Sequence, residues 1–164
     1  MQITFTLMDE ADARAIGAWR YEGEYAVYNG ANNDEALSEM LDRHSPYYAA
    51  RDERGALVGY FCFGTSAAIT GSAEPGIYSE DRSILIGLAL RPDLTGKGLG
   101  LAFVNAGLAF GAEHFAPTAF RLFVMTFNQR AIRVYERAGF QHVGVVMQHS
   151  PHGDRPFLEM RRAG

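Results

Sequence analysis

Gly96, Gly98 and Gly100 alternate through the string L-T-G-K-G-L-G-L. Without Cβ atoms, such a turn lets backbone N–H groups approach a ligand closely. Where the turn opens a helix, those N–H groups are unpaired and sit at the positive end of the helix dipole. The turn is then an anion site, usually for phosphate. Further on, Asn128 and Tyr135 stand seven residues apart in N-Q-R-A-I-R-V-Y. On a helix that is two turns, so an amide and a phenol share one face. Two familiar phosphate loops do not fit. The nucleotide P-loop needs G-x-x-x-x-G-K followed by Ser or Thr, and no such string occurs. The dinucleotide fingerprint needs G-x-G-x-x-G with an acidic residue ending the next strand, and here that strand ends in Met125-Thr126.

The elements that must position these residues are legible from periodicity. Ile84–Leu90 is a continuous apolar run, too short for a membrane span and suited to a strand buried on both faces. Arg91-Pro92-Asp93 ends it, because proline cannot continue the ladder. An apolar helix follows Gly100. A half-buried strand is predicted at residues 2–7, and a helix capped by Asp9 after it. A short helix is predicted over 33–41, a hairpin from Tyr47–Arg51 and Leu57–Phe63, and a long loop over 65–81. A strand over 120–126 leads to a helix over 128–138, capped by Asn128 and ended by Gly139. Strands over 140–149 and 155–161 close the chain, joined by a turn at Pro151-His152-Gly153-Asp154. The order β α α β β β α β α β β predicts an α/β (α+β) fold: a mixed, mostly antiparallel central sheet with helices on both faces.

Composition narrows the function. With 164 residues, one domain is expected over 1–164. The balance of 15 basic and 19 acidic residues, net −4, argues against a nucleic-acid partner. The single cysteine, Cys62, excludes an internal disulfide and a cysteine-rich metal site. His142, His149 and His152 show no metal-ligand spacing, so no metal is expected. The first residues lack a secretion leader, and a cytoplasmic protein without membrane attachment is the expectation.

The string L-A-L-R-P-D-L-T-G-K-G-L-G-L-A-F, followed by N-Q-R-A-I-R-V-Y-E-R-A-G-F, resembles the GNAT family of acetyl-CoA-dependent N-acetyltransferases, in a RimI-like form. The resemblance implies a GNAT-like acyl-CoA N-acyltransferase fold with acetyl-CoA as cosubstrate. It implies that the backbone of Gly96, Lys97, Gly98, Leu99, Gly100 and Leu101 holds the pyrophosphate. It implies that Leu88, Ala89 and Leu90, on a strand splayed from its neighbour, pair with the pantetheine amides. Asn128 would hydrogen-bond the cofactor, and Tyr135 would protonate the departing thiolate as general acid.

The chain departs from the family pattern in two respects. Thr95 begins the loop where Arg or Gln is usual; its hydroxyl can still hydrogen-bond the cofactor, but the charge-assisted phosphate contact is lost unless Lys97, Arg130 or Arg133 replaces it, and Thr95 and Arg133 are both taken into the cofactor set. Ile86 and Gly87 occupy the positions where many members carry a carboxylate base. The base is then elsewhere, acts through water, or is unnecessary because the amine arrives neutral. The leading candidate is Glu80, beside Asp81, Glu22, Glu24 and His149. Residues 19–28 interleave Trp19, Tyr21, Tyr25 and Tyr28 with Glu22 and Glu24. They read either as a pocket for a cationic acceptor, with Tyr21, Glu22, Glu24 and Tyr28 as substrate contacts, or as a loop pinned to the core by its tyrosines. The expected activity is acetyl transfer to a primary amine of a small molecule. The alternatives are a protein or peptide acetyltransferase and a non-catalytic acyl-CoA-binding module. A homodimer through exposed strand edges of the C-terminal hairpin is compatible with this order of elements.

Overall fold

The computed structural model describes residues 1–69, 76–151 and 153–164. Its elements follow the predicted order: β1 (Thr4–Leu7), α1 (Glu10–Gly17), α2 (Asp34–Leu41), β2 (Tyr47–Arg51), β3 (Leu57–Phe63), β4 (Ile84–Leu90), α3 (Gly100–Phe115), β5 (Ala119–Met125), α4 (Gln129–Arg137), β6 (Gln141–Gln148) and β7 (Arg155–Ala163). Part of the predicted 65–81 loop, residues 70–75, and His152 of the final turn lie outside the described residues. The rest of that loop is not featureless: a 3₁₀ turn covers Gly64–Ala67, and Tyr78 bridges to Ile84.

The predicted caps act as expected. The Asp9 carboxylate accepts from the Asp12 N–H at 2.8 Å, and the Asn128 Oδ1 accepts from the Ala131 N–H at 3.1 Å. Gly139 follows α4 with φ 95°, the left-handed geometry that ends a helix without a Cβ clash. Ala116 ends α3 in the same region, φ 42°, where an L side chain is strained. Ala116→Gly is therefore expected to stabilise the fold by about 1 kcal/mol, read as a higher denaturation midpoint at unchanged slope. An unchanged or lower midpoint would count against strain at this cap.

One sheet of seven strands runs β1-β2-β3-β4-β5-β7-β6, antiparallel at every junction but one. The exception is the parallel β4/β5 pair, which is registered only at Ile84/Phe120 and Leu85/Arg121. Beyond Leu85 the strands part, and among the described residues the rest of β4 pairs with β3 alone.

Side chains alternate across the sheet, so its two faces carry different cores. On one face Phe61, Phe63, Ile86, Phe120 and Leu122 pack with Phe103, Val104 and Leu108 of α3. There the helix lies unusually close. A Cβ at Gly107 would fall 2.0 Å from the Phe61 ring, and one at Gly111 would fall 2.9 Å from Phe120. On the other face Ala49, Tyr47 and Tyr60 pack with Ala13 and Ile16 of α1 and with Leu37, Met40 and Leu41 on or ending α2. Asp12, buried on α1, is bound by Arg51 of β2 through both carboxylate oxygens at 2.6 and 2.7 Å, which pins α1 to the sheet. The β6 edge leaves Val143, Val145 and Met147 exposed.

Candidate active site

The parting of β4 from β5 opens a cavity of about 640 Å³ through the sheet. Its backbone wall follows from strand parity. The Arg91 N–H donates to the Val58 carbonyl at 2.7 Å, so Ala89 and Gly87 likewise turn their backbone groups toward β3. Leu88 and Leu90 turn theirs into the opening. Of the three residues expected to pair with the pantetheine arm, Leu88 thus has its N–H and C=O directed there. Ala89 lines the cavity, but its backbone is committed to β3. The Leu90 carbonyl accepts the Tyr21 hydroxyl at 2.7 Å.

The glycine turn lies at one end of the cavity. Gly96 and Gly98 have φ of 70° and 76°, backbone conformations in which a Cβ is strained. Gly100 serves packing instead: a Cβ there would lie 3.2 Å from Val134, so its absence lets α4 rest against the start of α3. No side chain caps α3. From Gly96 to Ala102, no backbone N–H finds an acceptor among the described residues. This open run of donors stands where the sequence places its expected anion site. Lys97 and Leu99 contribute N–H groups to it, while their side chains do not line the cavity.

The cation beside that run is Arg130, not Arg133. Arg133 is exposed and outside the cavity; Arg130 lines it. The Arg130 Nη1 sits 3.4 Å from the Cβ position of Gly96, and its guanidinium stacks over the Tyr25 ring at 4.3 Å. Thr95 lines the cavity too, but its hydroxyl donates to the Pro92 carbonyl at 2.7 Å. Its proton is spent inside the turn.

Tyr135 enters from α4, with its ring edge against Phe140. It lines the cavity, and its hydroxyl has no hydrogen-bond partner among the described residues. Burial raises its pKa above the usual phenol value, reinforced by neighbouring Tyr28, so it stays a proton donor at neutral pH.

Residues 19–30 cross the open side of the cleft as a strap built on a 3₁₀ helix, Gly23–Tyr28. Tyr21 reaches β4. Tyr28 accepts the Asn128 amide at 3.0 Å, and Tyr25 carries Arg130. Burial pushes the Tyr21 phenol up to about 12 and raises Tyr28 as well. The loop therefore pins itself by its tyrosines and also lines the cavity with them. Its carboxylates do neither: Glu22 and Glu24 are exposed and outside the cavity. A cation site built on them is not what the strap forms.

The other base candidates are also elsewhere. Glu80 is exposed at the closed end of β4, where β5 is still paired. At about 3.3 Å per residue, the strand from Ile84 carries Leu88 roughly 13 Å further on. Asp81 accepts from Ser83 and from Arg161 at 2.8 Å, and these bonds lower its pKa; it is a turn residue. His149 pairs with Asp154 at 2.9 Å on the surface. A carboxylate at Gly87 has no room, because a Cβ there would meet the Cys62 sulfur at 2.7 Å. Of the wall opposite the glycine turn the sequence offered only Trp19; Ile16, Met40, Tyr47, Tyr60 and Cys62 were not assigned. The signal available was parity, since Tyr60 and Cys62 alternate onto one face of β3.

Among the described residues, no group of three or more His, Cys, Asp or Glu is arranged to hold a metal, and no helix is long and apolar enough to cross a membrane. Comparison with known proteins agrees with the geometry. Curated relatives named mycothiol acetyltransferase come from Propionibacterium freudenreichii subsp. shermanii, 35% identical over 62% of this chain, and Streptomyces coelicolor, 35% identical over 50%. The matches reach only 30% and 26% of those relatives' lengths. A solved aminoglycoside acetyltransferase AAC(6′)-Ib in complex with coenzyme A is 25% identical, with a TM-score of 0.73, over 99% of this chain and 95% of that one. A spermidine N-acetyltransferase SpeG chimera from Vibrio cholerae and hSSAT superposes with a TM-score of 0.74 over 99% of this chain and 96% of that one; at 18% identity this likeness concerns the fold. The acetyltransferase (GNAT) family profile matches residues 8–140. With that match over most of its length, and with the splayed β4/β5 pair, the open glycine turn and Tyr135 in one cleft, the chain belongs to the GNAT acetyltransferase family.

Proposed function

We propose that residues 1–164 form one catalytic domain that moves an acetyl group from acetyl-CoA to a primary amine of a small molecule. The observation that carries this reading is one cavity joining three groups: the open N–H run at α3, the Leu88 backbone on the splayed strand, and the Tyr135 hydroxyl. The residues fit the donor. The N–H groups of Gly96 to Leu101 and the Arg130 guanidinium suit a pyrophosphate, and the Leu88 edge suits an amide-bearing arm. In the transfer, the Leu88 N–H donates to the thioester carbonyl oxygen as negative charge develops there. Tyr135 gives its proton to the leaving thiolate. The relatives' names support amine acetylation of small molecules as the class.

The test is acetyl-CoA titration by calorimetry beside a free-thiol assay with a panel of primary amines. Saturable binding and amine-dependent thiol release are expected. Binding with no transfer to any amine would make the chain a non-catalytic acyl-CoA-binding module.

A further inference from the structure

The acceptor half of the cavity lies on the α1/α2 face of the sheet, opposite the glycine turn. Its walls are aromatic and apolar: Trp19, Tyr47, Tyr60, Met40 and Ile16, over a floor of Gly87 and Ala89. The Tyr47 and Tyr60 rings meet at 5.5 Å, tilted by 43°. The charge inventory of the whole cavity is one-sided. No Asp, Glu or His lines it among the described residues, whereas Arg130 and Arg137 do. The strap contributes Tyr21, Tyr25 and Tyr28, β2 contributes Tyr47, β3 contributes Tyr60 and Cys62, and α4 contributes Tyr135. Glu39 of α2 is near enough to raise Tyr47, Tyr60 and Cys62 but is exposed outside the wall.

Resting on the N-acetyltransferase reading, we infer that the acceptor is a ring-bearing amine that is already uncharged near neutral pH, and that polycationic amines are poor acceptors. The aromatic slot supplies stacking and edge contacts to a ring. An ammonium could also sit against these ring faces, but it has no lone pair, and among the described residues no carboxylate or imidazole lines the cavity to remove its proton. Tyr47, Tyr60 and Cys62 do not serve. Burial raises both phenols and pushes the thiol up to about 12, so each enters the reaction protonated.

The proton balance closes without a base only for a free amine. The nitrogen lone pair forms the N–C bond and the C–S bond breaks. Tyr135 protonates the thiolate, and the proton then shed by the acylated nitrogen restores Tyr135. The sum is amine plus thioester giving amide plus thiol, with no net proton released. An ammonium would have to lose one more proton first. The steric block at Gly87 keeps the strand from supplying the missing carboxylate.

The experiment compares three amines in a thiol-release assay: phenylalaninamide, phenethylamine and spermidine. The first two share a ring but differ in amine basicity. An α-amine titrates near 7.7–8.0 and an alkylamine near 10.4, so their free-base fractions at pH 7 differ by roughly 100-fold or more. We expect kcat/KM for phenylalaninamide to exceed that for phenethylamine on the order of 100-fold at pH 7. The gap should narrow to a few-fold near pH 10, with spermidine below both throughout. Equal or better use of phenethylamine or spermidine at pH 7 overturns the inferred acceptor class while leaving acetyl transfer standing. Thiol release with none of the three, but with other primary amines of the panel, overturns this inference alone; release with no amine of the panel at all, while acetyl-CoA still binds in calorimetry, overturns the transferase reading with it.

Discussion

Tyr135→Phe is expected to lower kcat by about 10²–10⁴-fold, the usual contribution of a positioned general acid. Binding of acetyl-CoA should hold within about two-fold, because the variant keeps the ring and its packing against Phe140. The hydroxyl has no partner among the described residues, so its removal leaves no buried group unsatisfied. The expected loss is therefore kinetic, with an unaltered denaturation midpoint. The sign of the pH dependence follows from the same burial. An acid works only while protonated, and the raised pKa of Tyr135 moves its ionisation above the ordinary phenol range. Activity should not fall between pH 7 and pH 10 through loss of the Tyr135 proton. A Phe variant with unchanged kcat, or a wild-type profile that declines across that window with folding intact, would remove Tyr135 from the acid role.

The second large effect is expected at Arg130. Thr95 has committed its hydroxyl proton to Pro92, and Arg133 is exposed outside the cavity. Arg130 is the side-chain cation beside Gly96 in the cavity wall, held there by stacking on Tyr25. A charge-assisted hydrogen bond is worth about 1.5–3 kcal/mol, so Arg130→Ala should weaken acetyl-CoA by roughly 10–100-fold. Arg130→Lys should recover part of this, since it keeps the charge but not the planar fork. Arg133→Ala should stay within about two-fold. A truncated thioester, acetyl-S-N-acetylcysteamine, carries no phosphate and should be used equally by wild type and Arg130→Ala. If the variant loses the truncated donor as severely as acetyl-CoA, Arg130 acts by holding the strap rather than by binding phosphate.

Local pattern carried much of the architecture. Ile84–Leu90 reads as a doubly buried strand because seven apolar or small residues leave no solvent face, and Asp9, Asn128 and Gly139 read as helix ends because capping is a contact within four residues. The glycine turn and the Asn128–Tyr135 spacing were legible for the same reason. Each is one short segment whose chemistry depends on its own backbone. Glu80, Glu22, Glu24 and Arg133 illustrate what such reading lacks. Their types suit the chemistry, but whether a side chain reaches a cleft is set by where distant strands separate. Glu80 lies on the paired side of the β4/β5 divergence, and a separation of three residues on α4, just short of a full turn, leaves Arg130 in the cavity wall and Arg133 outside it.

The sequence by itself determined the order of elements, the glycine-rich turn before α3 and the tyrosine two helical turns after Asn128. These are properties of periodicity and of backbone freedom at Gly96 and Gly98. Only the tertiary structure decided which groups meet. It left the Leu88 backbone unpaired where β4 leaves β5, and it directed Tyr21, Tyr25 and Tyr28 onto Leu90, Arg130 and Asn128. It also walled the α1/α2 side of the cavity with Trp19, Tyr47 and Tyr60 while leaving every strap carboxylate in solvent. The physical reason is range. A helix or a turn is closed by bonds a few residues long, whereas that wall joins α1, α2, β2 and β3 through packing across one face of the sheet, and no short window of sequence records it.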